Sequence, residues 1–71
     1  MSSNILSKFG HNVRQKRLSL GISQEDLAEL AGVHRTYVGM IERGEKNITL
    51  RNIEKFAKAF HMSIDALMKF E

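Results

Sequence analysis

Glycines at positions 21, 32 and 44 divide this chain into segments of helical length. Glycine commonly ends a helix because it adopts the left-handed backbone conformation at little cost. The chain has no proline to break the segments between these glycines. With 71 residues, it has room for a single domain at most. The pattern predicts an all-α fold, a compact bundle of five short helices over residues 1–71.

The residue types exclude several classes of site. Without cysteine, the chain cannot form a disulfide or a thiolate metal site. His11, His34 and His61 are too far apart in sequence for two to share a helical turn, so we predict no metal site and no cofactor. Ser63 near His61 is only a local pair, and no motif for a metal or an oxyanion accompanies it. We therefore predict that the protein is not an enzyme.

The hydropathy pattern indicates no membrane partner. No apolar stretch approaches the roughly 18–20 residues that a membrane-spanning helix needs. The first residues, MSSNILSKFG, lack the long apolar core of a signal peptide. We expect a cytoplasmic protein.

Charge is distributed unevenly along the chain, whose net charge is +3. Residues 1–22 hold basic side chains and no acidic one, whereas residues 23–44 hold four acids against two arginines. This pattern fits ordinary solvated charge, and it also fits contact with a polyanion.

Apolar spacing and capping residues place the helices. A first helix over about 7–20 would bury Phe9, Val13 and Leu20, and Gly21 would end it. The remaining predicted caps are Ser23 with Asp26, Thr49 and Ser63, which begin the second, fourth and fifth helices. The predicted buried residues are Leu27, Ala28, Leu30 and Ala31 in the second helix, Ile53, Phe56, Ala57 and Phe60 in the fourth, and Ile64, Leu67 and Met68 in the fifth.

Only three residues, 32–34, separate the second helix from the third. Two helices joined by such a short, glycine-containing turn are typical of a helix-turn-helix, here over about 23–43. The set Gln24, Ala28, Gly32, Val33, Val38 and Ile41 fits this motif as a whole. Small Ala28 allows close helix contact, and the apolar residues fix the second helix of the motif against the first.

The third helix, within RTYVGMIERG, has an unusual outward face. Val38 and Ile41 define its inward side, while Gly39 and Met40 point outward. Gly39 costs a helix roughly 1 kcal/mol relative to alanine, and Met40 would expose an apolar side chain to water. We infer that this face lies against a ligand, the major groove of double-stranded DNA.

Five residues of this helix are candidates for reading bases. Arg35 could pair bidentately with guanine, and Thr36 could reach a base edge or a phosphate. Gly39 would let the helix approach the duplex closely, and Met40 could touch a thymine methyl group. Tyr37 lies on a flank, where it could either touch DNA or pack on the edge of the core.

A second group would contact the DNA backbone and fix the register. Ser23 and Gln24 lie at the start of the second helix, where free N–H groups and the helix dipole favour an anion. Arg43, at the far end of the third helix, would meet a phosphate. Lys46 and Asn47 follow in the next loop, although an exposed lysine is often only solvated.

The stretches SQEDLAELAGV, RTYVGMIERG and ITLRNIEKFAKAF resemble phage-repressor helix-turn-helix proteins of the Cro and XRE type. The resemblance implies a lambda-repressor-like fold in which Arg17 forms a buried structural ion pair with Glu42. It also identifies three departures, of which the first, Ile48 at a position usually held by proline or another apolar residue, is harmless. His61 stands where the family commonly has glycine, so the turn before the last helix is expected to differ. Gly39 stands where serine is common, so one hydrogen bond to DNA is expected to be missing.

The stretch HRTYVGMIERGEKNITL is similar to controller proteins of restriction–modification systems. These are dimeric transcriptional regulators that bind operators, so the implied partners are double-stranded DNA, a second copy of the chain and RNA polymerase. The resemblance implies base reading by Arg35 and Thr36, with Tyr37 possible. It implies backbone contacts from Gln24, Arg43 and Asn47.

The C-terminal segment, about 60–71, is rich in apolar side chains. Phe60, Met62, Ile64, Met68 and Phe70 are more than one short terminal helix can easily bury within its own domain. A two-fold dimer interface would cover them, although they could instead complete the monomer core.

Two other functions remain open from the sequence. The chain could be a phage-type or antitoxin-like autorepressor, or a helical protein-interaction module without DNA binding. Interaction surfaces favour aromatic anchors, whereas Arg35, Thr36 and Arg43 face outward here. The residues therefore favour a DNA-binding regulator.

Overall fold

The computed structural model describes residues 4–70, and this part of the chain contains five helices and no strand. The helices are α1 (Ile5–Ser19), α2 (Gln24–Ala31), α3 (Arg35–Glu42), α4 (Leu50–Ala59) and α5 (Ile64–Leu67). The all-α prediction is confirmed. Within residues 4–70, no helix has both the length and the apolar character that crossing a bilayer requires.

Side-chain caps begin the helices where the sequence indicates. Ser23 and Asp26 form a full capping box, in which Ser23 Oγ accepts from Asp26 N at 3.0 Å and Asp26 Oδ2 accepts from Ser23 N at 3.1 Å. Thr49 and Ser63 cap α4 and α5 in the same manner. The first helix begins earlier than predicted because the Asn4 side chain accepts from Ser7 N at 2.9 Å.

The turn that ends α4 has a left-handed residue, His61, with φ at +57°. His61 N donates to Lys58 O and Met62 N donates to Ala57 O, each at 3.0 Å. Together these two bonds form the Schellman motif, which usually places glycine at this position. The expectation that this turn differs from the glycine-containing one is wrong, because the histidine adopts the glycine conformation.

The core lies where α1, α2, α3 and α4 meet, and α5 closes one end. Its fully buried side chains are Val13, Leu27, Val38, Ile41, Phe56 and Leu67. Three predicted core residues are exposed: Leu20, Leu30 and Ile64, the last with 40% of its surface accessible. Leu20 is 48% exposed because it follows the last turn of α1, and Leu30 is 61% exposed because it lies outside the arc that Leu27, Ala28 and Ala31 bury.

Helices α1 and α3 make backbone-close contact at Gly10. A Cβ at this position would overlap the carbonyl oxygen of Ile41 and lie 2.8 Å from that of Glu42. The last turn of α3 therefore rests directly on the backbone of α1. This contact fixes the angle between α1 and α3.

The C-terminal segment is fastened to α1. Asn12 Nδ2 donates to the carbonyl oxygens of Leu67 and Lys69, each at 2.9 Å. Helix α5 ends at Leu67, so Met68, which the sequence places within this helix, is its C-cap residue.

The predicted dimer residues divide into three groups. Phe60 is only 4% exposed and belongs to the monomer core, so its assignment to a dimer interface is wrong. Met62, Met68 and Phe70 are half-buried and pack against the same core, as expected if they complete the monomer. Ile64 keeps 40% of its surface exposed.

Candidate nucleic-acid interface

Helix α3 has one buried and one open side. Val38 and Ile41 lie in the core, whereas Arg35, Thr36 and Arg43 are exposed and Met40 is half-buried. His34 begins the helix, since its Nδ1 accepts from Thr36 N at 3.1 Å. The first turn of α3 thus presents Arg35 and Thr36 to the outside, where a helix in the major groove would read bases.

A concave surface that encloses a volume of about 510 Å³ lies between the start of α2 and the open side of α3. Its lining residues are mostly polar or charged: Arg17, Ser23, Gln24, Glu25, Arg35, Thr36, Gly39 and Arg43. Six of the ten residues predicted to contact DNA line it. Each of its three arginines has a glutamate nearby, Arg17 with Glu42, Arg35 with Glu25 and Arg43 with Glu45. The exposed guanidinium groups on this surface are those of Arg35 and Arg43.

Arg35 is only weakly held. Its Nη1 lies 3.7 Å from Glu25 Oε2, and both side chains are mostly exposed. An exposed ion pair at this distance contributes little and is screened by salt. The Arg35 guanidinium is therefore free to turn toward an external ligand.

Beneath this surface, Arg17 and Glu42 form a bidentate ion pair between α1 and α3. Arg17 Nε and Nη2 lie 2.7 and 3.1 Å from the two carboxylate oxygens of Glu42. Arg17 Nη1 also donates to Ile22 O, and the hydrogen bond with Glu42 raises the pKa of Arg17. Losing either partner would leave a buried charge uncompensated, so the pair fixes the helices in place.

Gln24 joins this network from α2. Its Nε2 donates to Glu42 Oε1 at 3.0 Å. One of its two amide N–H groups is therefore already used inside the protein, and the other remains for an external acceptor. The network links α1, α2 and α3 through one carboxylate.

Gly39 lies on the outward side of α3 but is covered. A Cβ at this position would be 3.1 Å from Arg43 Nη1 and 3.6 Å from Gln24 Oε1. The two long side chains thus lie over the glycine from either side. Close approach of DNA to the Gly39 backbone would require Arg43 to move.

Arg43 is itself paired across the next turn. Its Nε donates to Glu45 Oε2 at 2.9 Å, and both side chains are more than half exposed. This hydrogen bond lowers the pKa of Glu45 and raises that of Arg43. Lys46 and Asn47 follow in the exposed loop that leads to α4.

Tyr37 packs on the edge of the core. Its ring stacks on that of Phe56, with centroids 6.4 Å apart and planes inclined by 5°. Its hydroxyl oxygen accepts from Asn52 Nδ2 at 2.9 Å, which leaves the hydroxyl hydrogen able to donate. The side chain is half-buried and held from two directions.

Two residues with roles at this surface are not predicted from the sequence. Glu45 holds Arg43, and Asn52 holds Tyr37. The first had a local signal, because Glu45 follows Arg43 by two residues across a glycine turn. Asn52 had none, since it lies 15 positions further along the chain than Tyr37.

Family comparison matches residues 13–67 to the family described as helix-turn-helix. The chain belongs to this family. Over 71 residues, it is 48% identical to the control protein C.BamHI of Bacillus amyloliquefaciens, covering 99% of this chain and 88% of that protein.

Solved structures with the same fold include two restriction–modification controller proteins. C.AhdI of Aeromonas hydrophila matches with a TM-score of 0.85 and 47% identity, over 87% of this chain and 94% of that one. C.Esp1396I bound to a 25 base pair operator site matches with a TM-score of 0.83 and 35% identity, over 93% and 87% of the two chains. The family resemblance read from the sequence is confirmed.

Proposed function

We propose that this protein is a transcriptional regulator that binds operator DNA in a sequence-specific manner and controls a restriction–modification system. One observation carries the proposal: α3 and its C-cap expose Arg35, Thr36 and Arg43 on the concave surface beside the start of α2. A similar fold is found in a controller protein bound to its operator. In this assignment α3 enters the major groove.

The contacts divide into two kinds. Arg35 and Thr36, in the first turn of α3, read base edges. Gln24 and the loop residues Lys46 and Asn47 contact phosphates and hold the register. Tyr37 contributes its hydroxyl hydrogen from the flank, and Met40 supplies an apolar contact for a thymine methyl group.

The operator-binding form in this proposal is a homodimer. Leu50, which is 79% exposed, and Ile64 line a shallow groove of 410 Å³ with Arg51 and Glu54. Two exposed apolar side chains beside one base and one acid suit a two-fold interface, since each charge can face its opposite on the partner copy. We therefore place the dimer face at this groove rather than at Met62 and Met68, which pack against the monomer core. RNA polymerase is the further partner that a transcriptional regulator implies.

A footprint on DNA from immediately upstream of the gene tests the function. We expect two protected segments related by two-fold symmetry and about one helical turn, roughly 34 Å, apart. Binding should weaken steeply with salt, because neutralised phosphates release counterions. No protection at low salt would overturn the proposal and favour an interaction module without DNA binding.

Replacing Arg35 tests the reading role of α3. We expect Arg35→Ala to lose about 1–3 kcal/mol of discrimination at one base pair per half-site, since a bidentate arginine–guanine contact is removed. Binding titrations against operators with single substitutions measure this loss. Glu25→Ala, which frees Arg35 without removing it, is the matched control and should keep the preference. Unchanged discrimination in Arg35→Ala would exclude Arg35 as a base reader.

A further inference from the structure

The side chain of Arg43 lies back over α3 rather than extending beyond the end of the helix. Its Nη1 lies 3.1 Å from the position that a Cβ at Gly39 would occupy, one turn back along the helix. Side chains in helices lean toward the N-terminus, and this one does so over the open side of α3. The guanidinium of Arg43 therefore lies at the middle of the open side of α3, whose first turn carries Arg35 and Thr36.

Gly39 makes this arrangement possible. A side chain at this position would meet Arg43 Nη1 at closer than normal contact distance. A side chain at position 39 would thus push the guanidinium of Arg43 away from its present position, by a few tenths of an ångström for a single added carbon. With glycine in place, the guanidinium is not displaced.

Glu45 makes Arg43 a poor ligand for phosphate. Its carboxylate accepts from Nε at 2.9 Å and compensates the arginine charge. A second anion at the same place would be repelled by this carboxylate. Among residues 4–70, the hydrogen bond of Arg43 to another side chain uses Nε, so Nη1 and Nη2 remain as a pair of parallel donors.

We propose that Arg43 reads a guanine, that Gly39 admits its guanidinium to the reading face, and that Glu45 orients it. The ligand is the pair of acceptors O6 and N7 on the major-groove edge, which an arginine fork matches. This inference rests on the proposed DNA-binding function and replaces the sequence-based assignment of Arg43 to the DNA backbone. Glu45 is a positioning residue, because it acts through Arg43.

The first experiment compares Arg43→Ala with Lys46→Ala on a library of randomised DNA duplexes. Arg43→Ala should lose about 10- to 100-fold of discrimination at one base pair per half-site, distinct from the pair read by Arg35. Its salt dependence should stay close to that of the unchanged protein. Lys46→Ala is the matched control for a backbone contact, and it should weaken all sequences evenly and reduce the salt slope by about 1 per protomer.

The second experiment tests the roles of Gly39 and Glu45. Gly39→Ala should relax the same base preference as Arg43→Ala, and should have no further effect when both changes are combined. Glu45→Ala should relax that preference while strengthening binding to unrelated DNA, because a negative charge near the phosphates is removed. A residue that merely stabilised the fold would weaken binding to both kinds of DNA.

The outcomes separate this inference from the proposed function. Even weakening by Arg43→Ala with a reduced salt slope would overturn the inference and return Arg43 to the backbone, while DNA binding by the unchanged protein would stand. Equal effects of Gly39→Ala with and without Arg43 would show that position 39 contacts DNA directly, which also overturns it. If the unchanged protein enriches no sequence and binds no duplex at low salt, the proposed function itself fails.

Discussion

At the scale of single residues, His61 holds a backbone conformation that is costly for its type. The left-handed region costs a residue with a Cβ roughly 1–2 kcal/mol of folding free energy. Glycine avoids this cost but loses roughly 0.5–1 kcal/mol more than other residues in chain entropy when the protein folds. We therefore expect His61→Gly to stabilise the fold by up to about 1 kcal/mol, measured by denaturant unfolding. The Schellman bonds at this turn are made by the backbone and should persist.

Gly21 is the matched control for this change, because it adopts φ of +70° and a Cβ added there would have no atom within 4 Å. Gly21→Ala should destabilise the protein through backbone conformation alone. If His61→Gly lowers the stability instead, the histidine side chain makes a contact that outweighs the strain.

At the scale of elements, the Gly10 crossing sets how α1 and α3 pack. Gly10→Ala should destabilise the protein by about 1–3 kcal/mol, because the added carbon meets backbone oxygens that cannot turn aside. Gly39→Ala is the matched control within a helix, since its added carbon meets the mobile end of Arg43. It should be neutral or stabilising by up to about 1 kcal/mol. Equal unfolding midpoints for the two variants would contradict the packing argument.

The elements themselves could be predicted from sequence because their signals are local. Ser23, Thr49 and Ser63 each cap a helix within three residues, and Gly21 ends α1 one residue beyond its cap. The wrong predictions concern residues whose burial depends on packing against parts of the chain that are distant in sequence. Phe60 belongs to the monomer core rather than to the C-terminal surface, which residue type alone cannot tell.

The site was predictable to a similar extent. The periodicity of α3 separates its inward residues, such as Val38, from outward ones, such as Arg35. The direction of a long side chain is not contained in that periodicity. The position of Arg43 over Gly39 depends on a rotamer and on Glu45 beyond the end of the helix, so only the structure provides it.

At the scale of the whole molecule, the proposed dimer depends on the groove that Leu50 and Ile64 line. Ile64→Asp should give a folded monomer, because a charge enters the interface while an acid at the first position of α5 suits the helix dipole. Sedimentation measures the mass. Leu30→Asp is the control, since Leu30 is exposed on α2 outside this groove, and it should remain a dimer. An unchanged dimer in Ile64→Asp would place the interface elsewhere.

Asn12 fastens the C-terminal segment to α1, and this contact bears on the spacing of the two DNA half-sites that a dimer would bind. Helix α1 contacts α3 directly and also holds α5, so one continuous helix joins the proposed reading face to the proposed dimer face. In such a dimer, the packing of α1 against both α3 and the C-terminal segment would set the distance between the two copies of α3. The dimer would then discriminate between half-site spacings as strictly as it discriminates between bases within each half-site.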